Sequence, residues 1–159
     1  MKGSSDYSEI STLLGELIAI ESINMNYKGS TNGEVKISDY IYKYSRTLGV
    51  NCAKEEALPN RHNVICYIES KDKRGTCFES HMDNVSINNM TIEPNPVIKE
   101  GKMFGRGSAD CKGSLAAMMY VIQILIKNNL KPSTNLYFVA SVDEEYNHRG
   151  VDCFLKKKV

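Results

Sequence analysis

Apolar residues recur at helical spacing twice near the start of the chain. Ile10, Leu13, Leu14, Leu17 and Ile18 follow Ser8 and Glu9, and Ile37, Tyr40, Ile41, Tyr44 and Leu48 repeat the pattern until Gly49 ends it. Two amphipathic helices are expected there, joined by the polar, glycine-bearing loop from Asn24 to Gly33. The pattern then shortens to strand-like runs at Val50 to Ala57, Asn63 to Glu69 and Thr76 to Ser80. The last two are separated by the charged turn Lys71 to Gly75 and are expected to be neighbours in a sheet. From Met82 to Ala109 no periodicity holds, and Pro94, Pro96, Gly101, Gly105 and Gly107 mark a long irregular segment of the kind that carries function. Leu115, Met118, Met119, Ile122, Leu125 and Ile126 predict a third helix that stops at Asn128, Asn129 and Pro132. Thr134 to Val142 reads as a strand buried on both faces, and a short helix is expected over about Asn147 to Lys157. Helices alternating with buried strands predict a layered α/β domain.

Composition narrows the function classes. Of 159 residues, 42% are hydrophobic and 25% charged, which excludes a disordered or low-complexity chain. Lys and Arg total 20 against 19 Asp and Glu, so no basic excess draws the chain to nucleic acid. The start lacks the apolar core of a signal peptide, and no run is long enough to span a bilayer, so a cytoplasmic protein with no membrane partner is expected. Five scattered cysteines without a Cys-x-x-Cys pair point to buried thiols rather than to a disulfide framework or a zinc ribbon.

Candidate chemistry gathers in three clusters: Ser80-His81-Met82-Asp83 after one strand, Gly105 to Gly113 leading into the third helix, and Asp143-Glu144-Glu145 after the last strand. Ligands of open α/β sheets collect beyond the carboxyl ends of the strands, where two of these clusters fall. Imidazole with carboxylates suits zinc, cobalt or manganese. Taken singly, a His-x-Asp at a strand end is ordinarily a hydrogen-bonded pair, and Asp-Glu-Glu a solvated turn. Their joint order gives the pattern its weight.

His81-x-Asp83, Gly105-Arg106-Gly107-x-x-Asp110-x-Lys112-Gly113 and Asp143-Glu144-Glu145, in that order, resemble the dinuclear zinc exopeptidases and deacylases. That family includes acetylornithine deacetylase, succinyl-diaminopimelate desuccinylase, aminoacylase and glutamate carboxypeptidase. Leu17 to Ser22 and Arg61-His62-Asn63-Val64 are smaller echoes of it. The resemblance implies a layered α/β/α catalytic domain with a mostly parallel mixed sheet, and two zinc ions, with cobalt or manganese as substitutes. It implies His81, Asp110 and Glu145 as metal ligands, with Asp110 bridging. Asp83 would orient the His81 ring, and Glu144 would be the general base that takes a proton from the bridging water during amide hydrolysis. The substrate implied is a small N-acyl amino acid or a peptide. A cis peptide after Asp83 is implied as well.

Cys111 stands where methionine is frequent in the family, as a small filler or as a thiol open to oxidation or metal. His148 reads as a surface histidine. Family members carry a further carboxylate ligand, a final histidine ligand and a lid and dimerisation domain, for which residues 146–159 have no room. Residues 1–159 are therefore expected to be the N-terminal portion of the catalytic domain, truncated, with each metal one ligand short and little activity alone. A homodimer or a complementing C-terminal chain is the corresponding partner. The competing readings are a non-catalytic partner-binding fragment, a phosphate site at Gly105-x-Gly107, which Asp110 would oppose, and thiol-dependent hydrolysis through Cys111.

Overall fold

The computed structural model describes residues 4–88, 90–91 and 94–158. Helices α1 (Ser4–Ala19) and α2 (Val35–Thr47) open the chain, followed by strands β1 (Asn51–Leu58), β2 (Arg61–Ile68) and β3 (Asp72–His81). A small hairpin, β4 (Val97–Lys99) and β5 (Lys102–Phe104), precedes helix α3 (Lys112–Lys127), strand β6 (Thr134–Ser141) and helix α4 (Arg149–Lys158). The apolar stripes explain the packing. Leu13 and Leu17 of α1, Ile37 and Ile41 of α2, and Leu115, Ala116, Met119 and Ile122 of α3 meet Val64, Cys66, Phe138 and Ala140 of the sheet in one buried core. Asn63 precedes Val64 and so points to the opposite face. There its amide donates to the Gly150 carbonyl at 2.8 Å, and Lys157 pairs with Glu55 at 3.4 Å. Helix α4 thus forms the third layer of an α/β/α arrangement.

The main sheet runs β1-β2-β6-β3. The β1–β2 and β2–β6 ladders are antiparallel and the β6–β3 ladder is parallel. The layered α/β class and the mixed sheet agree with the sequence, but antiparallel pairing exceeds parallel pairing among the described strands. Nor are β2 and β3 neighbours. The mostly apolar β6, with Val139 and Ala140 fully buried, takes the central place between them, because burial on both faces favours the sheet interior. The charged run expected as a turn is largely the start of β3, with a register shift between Asp72 and Gly75.

Cys52 and Cys66 lie directly opposite one another across β1 and β2, with 4.1 Å between Cα atoms, and form a disulfide. Buried thiols throughout are therefore not what the fold contains, since cross-strand register brings these two side chains together. Cys77 is an exposed thiol. The irregular segment holds one regular feature missed by periodicity, the β4–β5 hairpin. Its two-residue turn, Glu100 and Gly101, has φ of 52° and 72°, the positive pair that a type I′ turn requires. No helix among the described residues is long and apolar enough to cross a membrane.

Candidate metal centre

Because β3 and β6 are parallel and in register, with His81 opposite Ser141, their carboxyl ends stop side by side. Met82 adds one more bond, donating to the Ser141 carbonyl at 2.8 Å, and buries its side chain in the core. In extended backbone, alternate residues share a side, so His81 and Asp83 both face away from that core. This is the physical content of the His-x-Asp spacing.

The loop after β6 is held by its backbone. The amide of Asp143 donates to Glu34 at 3.0 Å, and those of Glu144 and Glu145 donate to the two oxygens of Asp83, each at 3.1 Å. Three successive N–H groups are thus fixed by two buried carboxylates. Asn24 donates to Asp83 at 2.7 Å and to Asp143 at 3.0 Å, and the Tyr27 hydroxyl donates to the Glu145 carbonyl at 2.6 Å. Arg61 grips Glu34 with two hydrogen bonds and lies 3.0 Å from Asp143. With these three amides and the Glu145 carbonyl engaged, the loop leaves the Glu144 and Glu145 side chains to the site.

The glycine-rich segment approaches from the other side. Gly107 has φ of 86°, and a side chain there would meet the Asn84 amide oxygen at 2.6 Å, so only glycine lets the segment lie against the end of β3. Asp110 and Cys111 then lead into α3, with a cis peptide bond between them. The cis bond follows Asp110 and not Asp83, whose successor Asn84 continues as extended backbone bridged to Ile23. Lys112 is buried and donates to the Ile20 carbonyl at 2.7 Å, and burial pushes its ammonium down to about 8.

The side chains converge on His81. Its Nδ1 lies 3.0 Å from the Asp83 carbonyl and 3.5 Å from its carboxylate, while Nε2 lies 3.2 Å from Asp110 and 3.6 Å from Glu144. Two sets of donor atoms each fall within 4.8 Å of one another: His81, Asp110 and Cys111, and His81, Glu144 and Glu145. The five residues singled out from sequence, His81, Asp83, Asp110, Glu144 and Glu145, are therefore gathered in one place, although Asp110 and Glu145 fall in different sets that share His81. His148 is exposed and lies 3.6 Å from Glu144.

Electrostatics suit a cation here. Burial works against a charged His81, but the carboxylate of Asp83 and the Cys111 thiol outweigh it and push the imidazole up to about 11. Burial raises Glu145, and the neighbouring charge of Asp110 raises it further, with smaller contributions from Asp83 and Glu144. A proton on His81 thus partly balances a surplus of carboxylates. A divalent ion would do the same at higher charge, releasing that proton as it binds. The residues present fit a metal.

Asn24, Tyr27, Glu34 and Arg61 are the working residues that motif reading left without a role. Asn24 and Tyr27 lay in what reads as an ordinary polar loop, and Glu34 just beyond it. Only their burial against partners more than 100 residues away separates them from solvated loop polars.

Comparison with known proteins identifies the family and the fold. The model of peptidase family M20/M25/M40 matches residues 77–158. An uncharacterized metallohydrolase of Methanocaldococcus jannaschii is 27% identical over 146 residues, covering 84% of this chain and 36% of the relative. Succinyl-diaminopimelate desuccinylase of Rickettsia bellii is 30% identical over 141 residues, covering 84% and 34%. The crystal structure of human carnosine dipeptidase 1 superposes with a TM-score of 0.82 at 20% identity, covering 95% of this chain and 35% of that one, which shows a shared fold. The chain spans about a third of the length of these relatives. With the family match covering 77–158, all three chemical clusters included, the chain belongs to peptidase family M20/M25/M40.

Proposed function

We propose that these residues form the N-terminal part of the catalytic domain of a metal-dependent amide hydrolase acting on small N-acyl amino acids or peptides. The observation that carries this reading is the His81 imidazole set between the carboxylates of Asp110 and Glu144 at the ends of two adjacent parallel strands. His81, Asp110 and Glu145 would hold zinc, or cobalt or manganese, with Asp110 shared between two ions. Bound there, the metal polarises the scissile carbonyl and acidifies water.

The chain's own groups do the rest. Asp83 fixes the ring of His81 through Nδ1, which leaves Nε2 as the donor. The Glu144 carboxylate, held by its backbone amide and facing His81 and His148, accepts a proton from the attacking water and delivers it to the departing amine. By His and carboxylate count, each ion has two of the three protein ligands a catalytic zinc uses, so residues 1–159 alone turn over little. In any preparation where hydrolysis is measurable, Glu144→Gln is expected to lower kcat by about 10²–10⁴-fold with metal content retained. Undiminished turnover in that variant overturns the assignment.

A second reading rests on β3, whose outer edge has no partner strand among the described residues. A homodimer or a complementing chain would cover it, and stoichiometric association without turnover distinguishes this reading.

A further inference from the structure

We infer that Cys111 is a metal ligand, giving the ion at His81 and Asp110 a third protein donor from within this chain. The inference rests on the metal-centre reading above and adds to it a residue that neither the motif nor the family match assigns.

The geometry is as follows. Cys111 is the residue before α3, and its side chain caps no backbone amide of that helix. The sulphur turns instead toward the end of β3, 3.0 Å from the Ser80 hydroxyl and 3.1 Å from the His81 carbonyl, to which the thiol donates. Its Sγ lies within 4.8 Å of both the His81 ring nitrogen and an Asp110 oxygen, a triangle of imidazole, carboxylate and thiol. A filler side chain has no reason to make two polar contacts at the mouth of a charged site.

Coordination requires the thiolate. On binding, the S–H proton leaves to solvent and the sulphur rotates from the His81 carbonyl toward the ion, while the Ser80 hydroxyl remains as a donor to the sulphur. A site of His, Asp and Cys favours zinc or cobalt(II) over magnesium, calcium and manganese, which prefer oxygen. It also changes the ligand count: the ion at His81 reaches three protein donors without any further segment, and the ion at Glu145 does not. The 159-residue chain is therefore expected to bind one equivalent of zinc or cobalt firmly and a second weakly.

Cobalt(II) titration of the full chain tests this without recourse to activity. The expected result is a sulphur-to-cobalt charge-transfer band in the near ultraviolet that saturates at one equivalent. It should persist in Cys77→Ser and Cys153→Ser and vanish in Cys111→Ala, with affinity lowered by at least the ~10–100-fold that losing an outer contact to a ligand already costs. The band in the unmodified chain stands as evidence even if Cys111→Ala folds poorly. Cobalt bound at one equivalent with visible d–d bands but no charge transfer would overturn the role of Cys111 and leave the metal centre intact. No cobalt binding at all would overturn both.

Discussion

Asp83 does more than orient a ring. Its two oxygens take the amides of Glu144 and Glu145 as well as the Asn24 side chain, so one carboxylate fixes both the histidine and the loop that faces it. Burial opposes its charge, yet the contacts from His81, Asn24 and the Glu145 amide hold it below the ordinary aspartate range. The sign follows. A carboxylate with a lowered folded pKa contributes stability that is complete above its unfolded value of about 3.9, and that is lost as pH falls through the folded value. His81, raised to about 11, acts oppositely: its contribution is complete below the unfolded value of about 6.5 and is lost as pH climbs from there through about 11. With a chelator present, Asp83→Asn is expected to cost about 1–3 kcal/mol at pH 7 by leaving an amide unpaired. It should also show a flatter decline in urea midpoint below pH 4 than the wild type, and parallel declines would contradict the role given to this carboxylate. At this scale the sequence was readable where contacts are local, as in His81-x-Asp83. Asn24 was not, because its partners lie 59 and 119 residues away and nothing in its neighbours marks it as buried.

Among elements, the periodic ones were the most legible. The core faces of α1, α2 and α3 carry most of the residues their apolar stripes nominate, since helical spacing maps onto burial, although Ile126 near the end of α3 is exposed. Strand existence was also legible, but strand order was not. Pairing is decided by which strand can bear burial on both faces, and that criterion places β6 between β2 and β3. The disulfide belongs to the same class of long-distance information, for Cys52 and Cys66 become partners only once the β1–β2 register is set. It closes a loop with a sequence separation of 14, for which chain entropy gives a stabilisation of about 3 kcal/mol. Reductant is expected to lower the thermal midpoint of the wild type and to leave a Cys52→Ala, Cys66→Ala double variant unmoved. Equal sensitivity in both would place the effect elsewhere.

For the whole molecule, the sheet is asymmetric. One border, β1, is partly covered by α2 and α4, whereas β3 is exposed along most of its length and presents Phe78 at 42% exposure. An uncovered edge of this kind invites pairing with another chain. Sedimentation of the purified chain is expected to show association that grows with concentration and weakens in Phe78→Lys. A monomer at all concentrations would argue that the edge is protected. The family, the layered class and the placing of His81 and of Asp143-Glu144-Glu145 at the strand ends were all legible in advance, because motif order and alternation of elements survive any uncertainty about register. An exposed edge was expected as well, but not which strand would form it, although the charged start of β3 at Asp72, Lys73 and Arg74 contrasts with the apolar β6.

The ties that hold the candidate metal centre join residues more than 100 positions apart in the sequence. Asn24, Tyr27 and Glu34 grip a loop that begins at Asp143, and the donors themselves are spread from His81 to Glu145. During synthesis, then, Glu144 and Glu145 cannot join His81 until the loop after β6 has been made. Asn24, Tyr27 and Glu34, made long before, must wait for that loop. Contacts of such separation form slowly, so the loop that begins at Asp143 is the late-joining side of the candidate centre.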